Sequence, residues 1–258
     1  MTTRDAFTGS PQIAIYSDKE NRKGFASLYE SERATIERAL PNVQSVIDIG
    51  CLNGDLYGAI SERKRVDYLG VDIDPAAIEI AKPRHPGATF RVGDFIDPTF
   101  SAPRADMVVA LNLFDHFADW KSALRDLCRF SKRYVNFSTL LRIDGGPSLT
   151  EKDLSFIHYG GAGTRILWAV HSVWWLAAYA ATEEIGATSI YVHCYEKHAA
   201  RFSNLARAAH AVHALPLNDL YVGNVLIELG EPMQKTNIRP TLEIIADGKA
   251  VFNSPWRG

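Results

Sequence analysis

Cysteine is scarce in this chain of 258 residues: Cys51, Cys128 and Cys194 stand far apart, and none belongs to a CxxC pair. Such a set excludes a disulfide framework and supplies no structural zinc site, so no metal is expected and a reducing, cytoplasmic setting fits. Net charge is also nearly absent, with 28 Lys and Arg against 30 Asp and Glu. A balance this even gives no general attraction for a polyanion, and nucleic acid is not expected as a partner. Apolar runs of membrane length are missing too. The tryptophan-rich stretch from Ile166 to Ala181 is shorter than the ~20 residues a span needs and is broken by His171 and Ser172, so it reads as a buried helix and no membrane partner is expected. Residues Met1 to Pro11 hold no apolar segment of the kind that directs secretion. Internal repeats and low-complexity tracts are absent, and the oligomeric state is left open.

What is present is enough apolar residue, 47%, to fill a sizeable core, and a pattern that alternates between two periods. Phe25, Leu28, Tyr29, Ile36 and Leu40 recur at helical spacing before Pro41 stops them. Ser45 to Ile49 then reads as a strand, Leu56 to Arg63 as a helix, Tyr68 to Ile73 as a strand, Pro75 to Lys82 as a helix and Thr89 to Val92 as a strand. A fourth strand from Asp106 to Leu113 precedes a helix with Trp120, Ala123, Leu124, Leu127 and Phe130 on one face, and Arg133 to Leu140 follows as a fifth strand. Further strands are expected at Thr188 to Tyr195 and Leu220 to Leu229, around a helical insert from Ala199 to His213. Near the end, Asp247-Gly248 between two apolar runs predicts a type I′ hairpin. Alternating strand and helix implies an α/β fold on a parallel sheet. The expected layout is one domain over 1–258, with an N-terminal helical cap (1–43), a core (44–230) and a C-terminal hairpin appendage (231–258).

The chemistry concentrates at three successive strand ends. In Val46-Ile-Asp-Ile-Gly-Cys-Leu-Asn-Gly54 an acid, Asp48, stands two residues before the first glycine of a strand-to-helix turn. Gly50 and Gly54 let backbone pass close to a ligand, and the following helix presents unpaired N–H groups. A pyrophosphate would be repelled by Asp48, whereas a cationic ligand suits it. Asp72 lies at the end of the second strand, where open α/β folds place a carboxylate against ribose hydroxyls. Gly93-Asp94-Phe95 follows the third strand, with a carboxylate and a backbone N–H that match an adenine edge. Each segment taken alone is equally a turn or a helix cap; the three in order are what single them out.

Together with Ala110-Leu-Asn-Leu-Phe-Asp-His116, these segments resemble the successive motifs of class I S-adenosylmethionine-dependent methyltransferases, over about Val46 to Leu140. The resemblance implies a Rossmann-like seven-stranded sheet of order 3-2-1-4-5-7-6 with the last strand antiparallel, and S-adenosylmethionine as cofactor. By position, Asp48, Gly50, Asn53 and Gly54 would line the methionine end, Asp72 and Ile73 the ribose and adenine, Asp94 and Phe95 the adenine edge, and Leu111 and Asn112 the mouth toward the acceptor. One departure stands out: the family carries a further glycine where this chain has Leu52, and Asn53 is expected to absorb the strain in a left-handed conformation.

Methyl transfer is an in-line displacement, so most of the work is holding acceptor and methyl in line. A hydroxyl acceptor gains from a general base, and His158, in the loop after the fifth strand, and His116, just past the fourth, are the catalytic candidates. A histidine at a helix start is equally a structural donor. His193, Cys194 and His198, or His210 and His213, lack the acid or cysteine a metal site needs. His198, Arg201, Arg207, His210 and His213 read as a solvated basic face, with an anionic acceptor as the other reading. Trp168, Trp174 and Trp175 read as core. The absence of an Asn-Pro-Pro-Tyr-type tetrapeptide after the fourth strand turns expectation away from amino-methylated nucleic acid and toward a small-molecule or carbohydrate acceptor, methylated on oxygen or nitrogen. Two alternatives stay open: an NAD(P)-dependent oxidoreductase on a related fold, although GxGxxG spacing is absent, and a non-catalytic binding module that keeps the fold, for which Leu52 is the argument.

Overall fold

The computed structural model describes residues 24–144, 156–158, 165–167, 169–196, 220–230 and 240–255. Helix α1 (Glu30–Ala39) comes first, and its Glu32 carboxylate accepts the Tyr29 N–H at 2.9 Å, satisfying a donor that the helix start leaves unpaired. β1 (Ser45–Ile49), α2 (Asp55–Ser61), β2 (Asp67–Asp72), α3 (Pro75–Arg84) and β3 (Thr89–Val92) follow. Asp74 caps α3 by accepting the Ala76 N–H at 2.7 Å, and Pro75 fits the first turn, which needs no donor.

β4 (Ala105–Ala110) ends three residues sooner than its apolar pattern suggests, because Leu111 to Leu113 turn into a 3₁₀ segment, Phe114–His116. After α4 (Trp120–Arg129) and the long β5 (Ser131–Arg142) come a two-stranded unit, β6 (Phe156–His158) with β7 (Arg165–Leu167), then β8 (Val170–Ser172), α5 (Val173–Ala180), β9 (Ala187–Glu196), β10 (Leu220–Leu229), β11 (Thr241–Ala246) and β12 (Lys249–Pro255).

The main sheet runs β3-β2-β1-β4-β5-β10-β9, with β10 antiparallel to both neighbours, which is the expected seven-stranded order. β11 and β12 continue it beyond β9, and β8 pairs with β5 to complete ten strands. Asp247 and Gly248, both at positive φ, make the predicted turn. The hairpin is not the appendage the sequence suggested, since β11 pairs in parallel with β9 from Thr241 to Ala246.

The stretch from Ile166 to Ala181 is likewise not one helix. Ile166 and Leu167 belong to β7, Val170–Ser172 form β8 paired to Leu140, Leu141 and Arg142, and among the described residues only Val173–Ala180 is helical. An apolar run without periodicity does not distinguish a buried strand from a buried helix, and here tertiary pairing decided. Trp174 is partly buried and donates to the Ile143 carbonyl at 2.9 Å, whereas Trp175 is exposed. Trp168, the insert from Ala199 to His213 and its basic residues lie outside the described residues.

Two apolar layers sandwich the sheet. Ile47, Ile49, Val108, Val135 and Phe137 pack with α4 and α5 on one face. Val46, Met107, Val109, Tyr134, Tyr191 and Leu226 pack with α1, α2 and α3 on the other. Strand alternation produces this division and aims Asp48, Tyr68, Gly70 and Asp72 toward the second face.

Candidate active site

β1 leads into a turn whose residues Gly50 (φ 75°), Leu52 (φ 46°) and Gly54 (φ 81°) are left-handed. The strain therefore falls on Leu52 itself and not on Asn53, which is buried and accepts the Asp55 N–H through Oδ1 at 3.3 Å. Leu52 is held there by its N–H, which donates to Asp72 Oδ2 at 2.9 Å. The N–H groups of Gly50 and Cys51 both donate to the Val71 carbonyl, at 2.8 and 3.1 Å, and tie the turn to β2. At Gly54 glycine answers a packing need, since an added Cβ would lie 2.7 Å from Phe90 and 2.8 Å from His85. At Gly50 the first atom an added Cβ would meet is Leu113 Cδ2, at 3.2 Å.

Two acids face this turn. Asp48 is buried, and its Oδ2 accepts a short hydrogen bond from the Tyr68 hydroxyl. Burial pushes its carboxyl up to about 7; the Tyr68 bond opposes that rise and the neighbouring Asp72 adds to it. Burial also raises Asp72, against the stabilising N–H groups of Asp74, Leu52 and Ile73. Asp72 Oδ1 accepts the Asp74 N–H at 2.9 Å, so each carboxylate oxygen holds at least one backbone donor, and the carboxylate keeps lone-pair capacity for a ligand hydroxyl. Burial and the two acids raise the Cys51 thiol far above its usual range, which leaves it inert.

The remaining strand tips converge on the same place. The Gly93 N–H donates to the Asp72 carbonyl at 2.9 Å. Half-buried Asp94 accepts the Ile96 N–H at 3.2 Å, and buried Phe95 meets the Phe117 ring edge-on at 5.5 Å. Beyond β4, Asn112 is left-handed (φ 53°) and donates its N–H to Ser138 Oγ. Leu111 precedes it on the second apolar face, and Leu113 reaches back over Gly50. These residues stand together at the carboxyl ends of β1, β2, β3 and β4, the place where open α/β sheets bind ligands.

The histidines separate. His116 is buried in the 3₁₀ segment, with Nε2 3.9 Å from Asp115 Oδ1. His158 ends β6, where its backbone pairs with Arg165; its side chain lies outside the description. His171 is a core histidine packed on Phe114 and Trp120, and burial pushes its pKa down to about 3. His193 and Cys194, adjacent on β9, face opposite sides of the sheet, and among the described residues no group of three or more His, Cys, Asp or Glu is placed to hold a metal ion. Sequence reasoning missed Tyr68, Leu113 and Ser138. A polar aromatic two residues before Gly70 in a buried strand was a readable signal for the first, while the others follow only from the fold.

Residues 46–133 match a family model described as a methyltransferase domain. No curated protein matches the chain by sequence. Among solved structures it is similar to the N-terminal domain of EvdMO1 crystallised in the presence of SAH and D-fucose (17% identity, 83% of this chain and 84% of that one, TM-score 0.53). It is also similar to a putative sarcosine dimethylglycine methyltransferase from Galdieria sulphuraria (15%, 79% and 85%, TM-score 0.53) and to the [4+2]-cyclase SpnF (12%, 82% and 85%, TM-score 0.53). At these identities the structures establish the shared fold. Asp72 holds Leu52 and so keeps the turn in place without its third glycine, and a buried acid facing the turn disfavours a dinucleotide pyrophosphate. The methyltransferase-domain match spans the very strands whose tips converge here, and it supports a class I S-adenosylmethionine-dependent methyltransferase with S-adenosylmethionine as cofactor.

Proposed function

We propose that the enzyme methylates an oxygen or nitrogen of a small-molecule or carbohydrate acceptor in the cytoplasm. The observation that carries the cofactor half of this reading is the pair of buried acids, Asp48 and Asp72, around a left-handed turn. S-adenosylmethionine supplies a methyl group already activated on a sulfonium. Asp72 has the lone pairs to accept from the ribose hydroxyls, with Ile73 beside them. Asp94 and the Phe95 N–H stand at the adenine edge. Asp48, with Gly50, Asn53 and Gly54, forms the methionine end, where an ionised carboxylate attracts a cation. Leu111 and Asn112 form the mouth. The protein's part in the reaction is alignment of the acceptor with the methyl group and exclusion of water.

For the acceptor, the even charge of the chain and the Leu111-Asn112-Leu113-Phe114 sequence after β4 favour a small molecule over nucleic acid. The EvdMO1 domain was crystallised in the presence of a sugar, and the Galdieria protein is named for small amines. His158, between β5 and β8, is the proposed base or acceptor contact, and His116 the second candidate. The test is transfer of a labelled methyl from S-adenosylmethionine into a cell extract separated by size. Label in the small-molecule fraction supports the reading, and label confined to nucleic acid or protein overturns it.

A further inference from the structure

On the face of the sheet covered by α1, one row of side chains is polar where the surroundings are apolar. The register of β5, β10 and β9 places Ser138, Asn224 and His193 opposite one another, and Asn136 lies two residues before Ser138 on the same face. All four are more than nine-tenths buried. Ser31 Oγ, from α1, donates to Asn224 Oδ1 at 3.1 Å, and Asn224 Nδ2 donates to Asn136 Oδ1 at 3.4 Å. Beyond these bonds, Asn136 Nδ2 and His193 Nδ1 are buried and have no hydrogen-bond partner among the described residues. A buried polar group left unmet is costly, so two in one row call for a ligand that meets them.

The row begins at the methyl-transfer end of the molecule. Ser138 Oγ accepts the N–H of Asn112, the residue at the proposed mouth of the cofactor site. From Ser138 it crosses two strand spacings, roughly 10 Å, to His193. There the side chain stands 3.7 Å from Glu30 Oε1, and Glu30 is largely exposed.

We propose that Asn136, Asn224 and His193 bind the methyl acceptor, and that the acceptor is an uncharged, hydroxyl-rich molecule. The proposal rests on the methyl-transfer reading above. A carboxamide offers a donor and an acceptor side by side, as a hydroxyl does, and a neutral imidazole offers one of each. Burial holds the His193 imidazole below its usual pKa, hence neutral near pH 7. Among the described residues, the cation on this side, Arg38, is already paired with Glu243 at 2.7 Å and stacked over the Tyr191 ring, which disfavours an anion.

The test uses the full chain saturated with S-adenosylhomocysteine, with the His193 ring resonances followed by NMR. The probes are methyl glycosides of neutral hexoses and 6-deoxyhexoses, and hexose 6-phosphates as the charged counterparts. A neutral glycoside is expected to shift the His193 signals, and Asn136→Leu or Asn224→Leu to weaken that binding ~10-fold or more, about the loss of one hydrogen bond to a buried group, while S-adenosylhomocysteine affinity holds. His193→Phe, at the far end of the row, provides a second variant should a leucine variant fold poorly, its glycoside binding read by calorimetry because it lacks the reporter ring. The proposal is overturned if no neutral glycoside moves His193, if only the phosphates do, or if the folded variants bind the glycoside as the parent does. Failure of the parent to bind S-adenosylhomocysteine would instead overturn the cofactor assignment, a separate result.

Discussion

Replacing Asp48 with asparagine keeps the shape of the side chain and an oxygen for the Tyr68 hydroxyl, but removes the group that titrates. In the folded protein that carboxyl ionises near 7, against 3.8 for an ordinary aspartate, chiefly because it is buried. Between those two values the unfolded chain has released a proton that the folded chain still holds. Stability therefore falls as pH rises through this window, by at most ~1.4 kcal/mol per pH unit, and the full rise in pKa corresponds to ~4 kcal/mol. The asparagine variant escapes this loss. Its stability relative to the parent should climb from pH 4 to pH 7 and then level off, while the carboxyls that do not interact with Asp48 cancel in the difference. Urea unfolding of both proteins at pH 4, 5.5, 7 and 8 measures it. The cofactor adds a second reading, because a cation beside Asp48 favours the ionised form. Binding of S-adenosylmethionine near pH 7 should release up to about half a proton, since that is what the carboxyl still holds there, seen by calorimetry in buffers of different ionisation heat, and the variant should release less. A stability gap that stays constant from pH 4 to 8, or equal proton release from both proteins, would refute the reasoning.

Asp72→Ala should weaken S-adenosylmethionine binding by ~1–3 kcal/mol in a titration and also lower the melting temperature, because the N–H groups of Leu52 and Asp74 lose their acceptor; unchanged affinity in a folded variant would remove Asp72 from the site. Gly50→Val should nearly abolish cofactor binding, since a β-branched residue at φ 75° is strained and its Cβ crowds Leu113. Leu52→Gly should stabilise slightly: ~1–2 kcal/mol of left-handed strain is relieved, and about half of it returns through the greater freedom of the unfolded chain. A lower melting temperature would show that the leucine side chain matters more than its backbone. His158→Ala should lower turnover at least ~100-fold if His158 is the base, with cofactor affinity intact, and full activity with an unchanged pH profile would transfer that role to His116.

The turn at Gly50 was readable because glycine at positive φ leaves a mark in the sequence, and Asp72 because the end of β2 is set by its apolar pattern. The order β3-β2-β1-β4-β5-β10-β9 came from resemblance, since strand order depends on pairings that no local pattern encodes. Leu52 shows the boundary. Asn53 is the better left-handed residue by propensity, yet a single hydrogen bond to Asp72 holds the conformation one position earlier. His171 and Ser172 were visible as interruptions in an apolar run, but whether they broke a helix or sat in a strand depended on β5 being alongside. His193 carried no signal beyond a histidine in a strand, because its neighbours Asn224 and Asn136 come together only through the antiparallel register of β10.

Where the sheet stops bears on how the protein behaves in a crowded cell. With β11 alongside it, β9 has neighbours on both sides, and the ladder groups of an apolar strand running through Ile190, Tyr191 and Val192 are spent within the molecule. The margins that remain are poor templates for another chain: β3 is four residues long, and β12 opens with Lys249 and closes at Pro255, which has no N–H to offer. A protein clipped near residue 240 would keep the methyl-transfer residues and expose the flank of β9 instead, and its first fault would be self-association through that flank before any loss of chemistry.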